Sequence, residues 1–215
     1  MIDPHDDTTV PDVVTRIAER LTARYAGIVS AETVAAIVDD SYRQLAARAS
    51  IRRYLASLTG HFAAERLAAI RRASVSLSDR PASVLFVCVE NAGRSQLASA
   101  LLAAELGDGV TIASAGSQPG SAVSPLLADA LDELGVPLGT AYPKPLTDEL
   151  VRGADFVITM GCGDACPVHP GRKYEDWAIP APDAVNLDSV RAARDAIAEH
   201  VSSLAAEIRA ARAHA

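Results

Sequence analysis

The stretch "VLFVCVENAGRSQLASALLAAEL", residues 84–106, sets four apolar residues, a cysteine, a loop of small and polar residues, an arginine and a helix-like run in succession. Residues 84–87 read as a buried strand, because so short an apolar run has no polar face to show to water. From about Ser95 to Leu106 the pattern is helical. A strand that turns tightly into a helix directs backbone N–H groups, here those of Asn91 to Ser95, at any anion lying over the helix N-terminus. Gly93 permits the turn, and Arg94 supplies a planar fork matched to a tetrahedral oxyanion. The same field favours the thiolate of Cys88, the nucleophilic form of a cysteine. Ser95 is placed to donate a hydrogen bond to that sulfur. The candidate site is therefore Cys88 in a loop made of Val89, Glu90, Asn91, Ala92, Gly93, Arg94 and Ser95.

Further apolar runs alternate with helical patterns along the rest of the chain: strands at 110–113 and 156–160, helices at 125–134 and 147–151, and a long last helix from about Leu187. Such alternation predicts an α/β unit with a parallel sheet covered by helices, in which ligands bind beyond the carboxyl ends of the strands. Cys88 and Cys162 each follow a strand, so one rim of the sheet can hold both. Phe156, Tyr174 and Trp177 are expected to pack the core.

The other two cysteines lie in "MGCGDACP", residues 160–167, spaced Cys-x3-Cys. One turn of chain brings Cys162 and Cys166 within the Cα separation of about 4.4–6.8 Å that a disulfide needs. Glycines on both sides of Cys162 let the segment swing, as a redox relay requires. A metal site would use Cys162, Cys166 and His169, but no fourth ligand has zinc-like spacing nearby. No metal and no cofactor is assigned.

Residues 1–75 read differently, as a bundle of three amphipathic helices. Val10, Val13, Val14, Ile17, Leu21 and Tyr25 recur at helical spacing, as do Val34, Ile37, Val38, Tyr42 and Leu45, then Ile51, Tyr54, Leu55, Leu58, Phe62 and Ile70. Gly27 ends the first helix, Ser30 and Ser50 cap the next two, and Gly60 weakens the third. The polar break at 74–82 is read as a linker between this bundle and a second domain at 82–215. Residues 1–80 hold 11 Lys+Arg against 10 Asp+Glu, and residues 81–215 hold 9 against 17. Neither half reads as a nucleic-acid binder, and the acidic half needs a local device to hold an anion. The absence of a long apolar run and of a basic, then apolar, N-terminus predicts a cytoplasmic protein that does not engage membranes. Three unevenly spread cysteines argue for chemistry rather than a disulfide framework.

"VLFVCVENAGRSQ" at 84–96, "SAGS" at 114–117 and "ADFVITMGCGDACPVHPGRKYEDW" at 154–177 resemble the low-molecular-weight protein tyrosine phosphatase superfamily, and within it the thioredoxin-coupled arsenate reductase branch. The resemblance covers roughly residues 82–213, and a helical module fused ahead of it fits the actinobacterial type of that branch. It implies a four-stranded parallel sheet flanked by helices and a three-step chemistry. Cys88 attacks arsenate, Cys162 attacks Cys88 and releases arsenite, and Cys166 attacks Cys162, leaving a disulfide that thioredoxin reduces. Mycothiol or another low-molecular-weight thiol is the less favoured reductant, since a third cysteine points to a protein partner.

Two positions depart from the family pattern. The aspartate that serves as general acid in the family falls on Ala181, with Asp183 two residues late. Either the loop shifts so that Asp183 serves, or the acid is missing. A glutamate that helps hold potassium in several relatives is replaced by Ser99, so a potassium requirement is not carried over. Glu90 is a further oddity, because a carboxylate beside an anion site opposes both thiolate and guest unless it points to solvent. The leading expectation is an arsenate reductase. A tyrosine phosphatase is the alternative, and a non-catalytic oxyanion sensor signalling through the bundle is the reading from another class. For the bundle itself, dimerisation, stabilisation and partner docking stay open.

Overall fold

The computed structural model describes residues 12–49, 52–76, 79–163, 166–183 and 185–213. Val10, Ser50 and Ile51 of the expected helices therefore lie outside the described residues. The N-terminal helices are α1 (Asp12–Arg24), α2 (Ala31–Ala46) and α3 (Leu55–Ala73), the last entered through a short turn of 3-10 helix at Arg52–Tyr54. Ser30 caps α2, its hydroxyl accepting from the Thr33 N–H at 3.1 Å. Val14, Ile17 and Leu21 of α1 close on Val34, Ile37 and Val38 of α2 and on Ala63 and Leu67 of α3.

After the break the chain alternates as its pattern predicts. Strands β1 (Ala82–Cys88), β2 (Val110–Gly116), β3 (Phe156–Met160) and β4 (Lys173–Asp176) form a four-stranded sheet in the order β2-β1-β3-β4, with every neighbouring pair parallel. Helices α4 (Arg94–Leu106), α5 (Pro125–Asp132), α6 (Asp148–Arg152) and α7 (Leu187–Ala213) connect and cover it. Strand β4 had no sequence signal, since three of its four residues are charged. At an edge those charges block further strand pairing.

All seven residues of β1 are buried, because the sheet is covered on both faces. Val84, Phe86 and Cys88 face α4, α5 and α7, packing with Leu97, Leu131 and Ile197. Leu85 and Val87 face the other way, onto Leu55, Phe62 and Ala69 of α3 and Leu150 and Val151 of α6. Helix α3 is thus shared: Ala63 and Leu67 complete the bundle while Phe62 and Ala69 cover the sheet. The break at 74–82 divides the chain in sequence, yet the two parts share one apolar layer.

Polar groups reinforce that layer. Arg80 grips Asp155 through two 2.7 Å hydrogen bonds, Arg66 of α3 donates to Glu149 of α6 at 2.9 Å, and Lys144 pairs with Glu65 at 2.9 Å. Gly153, just past α6, lies against α3 so closely that a Cβ there would come 2.6 Å from the Ala69 backbone. Among the described residues no helix is long and apolar enough to cross a membrane.

Candidate active site

Strand β1 ends at Cys88, whose Cα pairs with Gly116 on one side and Met160 on the other. The chain then turns through residues 89–93 into α4. Loop carbonyls point outward onto the segment after β2: Cys88 O accepts from Ser117 N–H at 3.1 Å, Val89 O from Gln118 at 2.9 Å, Glu90 O from Gly120 at 2.8 Å and Ala92 O from Ser124 at 3.3 Å. In a planar trans peptide the next residue's N–H is antiparallel to the carbonyl. The amides of residues 89, 90, 91 and 93 therefore turn inward. The Asn91 N–H shows it directly, donating to Cys88 Sγ at 3.2 Å.

Asn91 holds the loop in shape. It is fully buried and takes a left-handed backbone at φ 50°, a conformation that asparagine tolerates better than most residues. Its Nδ2 donates to Ser95 Oγ at 2.8 Å, and its Oδ1 accepts from the Lys144 N–H at 3.0 Å. Gln96 Nε2 spans Asn91 O at 3.0 Å and Tyr142 O at 3.1 Å. Ser95 Oγ lies 3.0 Å from Cys88 Sγ, so its hydroxyl is free to stabilise the sulfur. Gly116 is obligatory: a Cβ there would sit 2.7 Å from Val89 O and 3.0 Å from Asn91 N.

A cleft of about 610 Å³ opens over this loop, lined by Cys88, Glu90, Gly93, Arg94, Ala181 and Pro182 among others. Arg94 reaches across its floor, donating through Nη1 to Ile179 O at 2.9 Å. Gly161 makes room for that guanidinium, since a Cβ at its φ of 71° would lie 2.9 Å from Nη1. Glu90 is exposed, so its charge is solvated at the mouth. Ser99 donates to Ser95 O at 2.8 Å, inside its own helix. Asp183 does not line the cleft. It is exposed, and its Oδ1 accepts from the Val185 N–H at 3.1 Å; the wall nearest the expected acid is Ala181 and Pro182.

The cysteine pair follows β3. Cys162 is buried in the layer under α3 and α6, whereas Cys88 packs in the layer under α4 and α7. The two thiols thus flank the same rim from opposite faces, and Gly161 and Gly163, with φ of 71° and 54°, bracket Cys162. All three cysteines are free thiols. Burial pushes the Cys162 thiol up, with the Asp176 and Cys88 charges adding to it. Burial, helped by Cys162, pushes Cys166 up to about 11. The His169 ring Nε2 lies 2.7 Å from Asp148 Oδ1.

Sequence reasoning found the loop but not what shapes it from outside. Gly116 and Ser117 fall in the "SAGS" run at 114–117, but the other carbonyl partners at 118–124 and the Lys144 and Tyr142 backbone come from segments with no local chemical signature.

Residues 83–214 match the family described as low molecular weight phosphotyrosine protein phosphatase, and residues 14–71 match a domain described as protein-tyrosine-phosphatase-like, N-terminal. A thioredoxin-dependent arsenate reductase from Corynebacterium glutamicum is similar in structure, with a TM-score of 0.86 and 41% identity over 93% of this chain and 98% of that one. A glutaredoxin arsenate reductase of Synechocystis is 32% identical over 58% of this chain and 97% of its own length. An arginine phosphatase from Geobacillus stearothermophilus is 27% identical with a TM-score of 0.53, over 62% of this chain and 97% of that one. The chain belongs to the low molecular weight phosphotyrosine protein phosphatase family, in the arsenate reductase branch that carries an N-terminal helical module.

Proposed function

We propose that the protein reduces arsenate to arsenite through Cys88, Cys162 and Cys166, with thioredoxin as the final reductant. The observation that carries this reading is the joint presence of an amide cradle over Cys88 and, just past the neighbouring strand, a second cysteine pair whose first member is bracketed by glycines. Similarity to the Corynebacterium enzyme over nearly its whole length supports it.

Arsenate enters the cleft, its oxygens taken by the inward amides and by Arg94. Cys88 thiolate attacks arsenic, and one oxygen leaves as water after protonation. Cys162 thiolate then attacks Cys88 Sγ. The S–S bond forms, the S–As bond breaks, and its electron pair stays on arsenic, which leaves as arsenite. Cys166 next attacks Cys162 and returns Cys88 to the thiol state. Thioredoxin reduces the resulting disulfide between Cys162 and Cys166 by ordinary dithiol exchange; mycothiol is the rival reductant. Because Cys88 and Cys162 lie on opposite faces of the rim, the segment at 161–163 has to rotate about its glycines during the second step.

Phosphatase chemistry is the weaker reading. An alkoxide leaving group needs a proton, and the wall facing Cys88 offers Ala181 and Pro182 there. Arsenate reduction ends in thiol attack and tolerates that loss. The deciding experiment is disulfide mapping by mass after one turnover with arsenate, beside an aryl phosphate assay. One arsenite released per chain, with Cys162 joined to Cys166, supports the relay. Aryl phosphate hydrolysis without arsenite release would refute it.

A further inference from the structure

Five-residue helix α6 stands between the bundle and the loop that carries Cys166. On its bundle side, Glu149 Oε1 accepts from Arg66 of α3 at 2.9 Å, and that arginine is buried and also holds Asp40 of α2 at 2.6 Å. Gly153 seats the end of α6 against the Ala69 backbone. On its other side, Asp148 Oδ1 lies 2.7 Å from His169 Nε2, and the Arg152 carbonyl accepts from Arg172. The His169 side chain is 19% exposed and that of Asp148 52% exposed, so the imidazole is largely covered while its carboxylate partner faces solvent. The loop is also closed on itself: the Tyr174 hydroxyl accepts from the His169 N–H at 2.8 Å and donates to Pro167 O at 3.2 Å. Cys166 sits next to Pro167 and three residues before His169. The two sides of the relay segment differ in kind, glycine hinges around Cys162 and a pinned stretch after Cys166.

We infer that His169, held by Asp148, is a positioning residue that fixes Cys166 for its attack on Cys162, and that the N-terminal bundle serves this step by bracing α6. The inference rests on the relay proposed above. In the step concerned, the Cys166 thiol loses its proton and its sulfur attacks Cys162 Sγ; the bond between Cys162 and Cys88 breaks, and the Cys88 thiolate leaves and takes up a proton. No net oxidation occurs. Placement matters here because burial leaves Cys166 a thiol with very little thiolate at neutral pH. A scarce nucleophile reacts at a useful rate only when it is held close to its target.

The test uses the full chain and three variants, His169→Ala, His169→Gln and Asp148→Ala. Glutamine can place an amide N–H where the imidazole Nε2 stands. Arsenite is counted after one turnover without reductant, disulfides are mapped in the same sample, and steady-state turnover is measured with thioredoxin. For His169→Ala the expected result is an unchanged burst of arsenite, accumulation of the disulfide between Cys88 and Cys162, and turnover lowered on the order of tenfold to a hundredfold. Asp148→Ala should give the same pattern, the double variant should be no worse than either single one, and His169→Gln should restore most of the loss. The inference is overturned if His169→Ala keeps the wild-type disulfide distribution, or if its arsenite burst falls as far as its turnover, which would mark a general structural defect. A wild-type chain that releases no arsenite would refute the reductase reading, and this inference with it.

Discussion

Replacing Asn91 tests the site most directly, because one buried side chain determines both the loop's backbone and its sulfur. In Asn91→Ala three losses occur together. The Lys144 N–H, buried and donating to Oδ1 at 3.0 Å, loses its acceptor, which costs about 1–3 kcal/mol for an orphaned donor. Ser95 Oγ loses the Nδ2 donor but keeps Cys88 Sγ, a loss of about 0.5–1.5 kcal/mol. Alanine at φ 50° adds about 1 kcal/mol of left-handed strain. The sum is about 2.5–5.5 kcal/mol, a drop in Tm of roughly 5–22 °C for a chain of this size. Asn91→Gly separates the terms, since it makes the same two hydrogen-bond losses without the strain and should lie about 1 kcal/mol above the alanine variant. Urea denaturation supplies the stabilities, and a rapid-quench burst of arsenite supplies the chemistry, which should slow about tenfold or more as the amide cradle loosens. If Asn91→Ala unfolds within about 0.5 kcal/mol of wild type and its burst is as fast, the loop is held by something other than the contacts described here.

Three further outcomes follow from the same geometry. Gly153→Ala should destabilise by about 1–3 kcal/mol or more, because its Cβ meets the α3 backbone at 2.6 Å; Gly60→Ala, whose Cβ meets nothing closer than 3.5 Å, should stabilise α3 by about 0.5–1 kcal/mol, and paired denaturation curves check both. Cys166, with its thiol raised to about 11, should make the last exchange of the relay speed up about tenfold per pH unit between roughly pH 7 and 9, read by quenching and mapping disulfides; a flat profile would count against Cys166 as the attacking group. Burial pushes the Asp155 carboxyl up, but hydrogen bonds from Arg80 and Ser83 outweigh it and hold the group below the usual range. Its contribution is therefore present above the ordinary aspartate pKa and lost as pH falls through the depressed value. Arg80→Ala should cost about 3–5 kcal/mol at neutral pH and move the acid limb of the stability curve upward.

What the sequence made legible was whatever local pattern encodes. The apolar run before Cys88, the small-residue loop and the helix after it are contiguous, so their pattern points to a strand, a turn and an anion cradle, although the cradle's shape is set from outside by Gly116, the amides at 117–124 and the Lys144 N–H. The Phe156–Met160 strand and the final helix from Leu187 were equally plain. Strand β4 was hidden because its own residues carry no strand pattern: Lys173, Glu175 and Asp176 are ordinary surface types, none of the four is buried, and only pairing with β3 makes them a strand. The role of Asp183 was unreadable for a similar reason. Two residues of offset in a proline-containing loop decide whether a carboxylate faces the cleft, and here Ala181 and Pro182 line it while Asp183 turns to the Val185 N–H.

The polar break at 74–82 encouraged a division that packing does not respect, and the reason lies in the composition of α3. A helix that served only a three-helix bundle would show one apolar stripe and a polar back. Helix α3 buries Ala63 and Leu67 toward the bundle and Phe62 and Ala69 toward the sheet, with Arg66 between them neutralised by Asp40 on one side and Glu149 on the other. A parallel sheet needs cover on both faces, and on the face of Leu85, Val87 and Val157 that cover comes from α3 together with α6. The bundle cannot be removed without exposing those residues to water, nor without loosening α6, to which Asp148 and His169 tie the loop of the third cysteine. Catalytic geometry at the rim and the helices far from it in sequence therefore belong to one packing problem. A change in the α3 interface should reach the arsenate-binding loop as well as the proposed cysteine relay, because the segment that receives the loop's carbonyls shares a groove with Leu45, Leu55 and Leu58, and Lys144, whose N–H holds Asn91, pairs with Glu65 of α3.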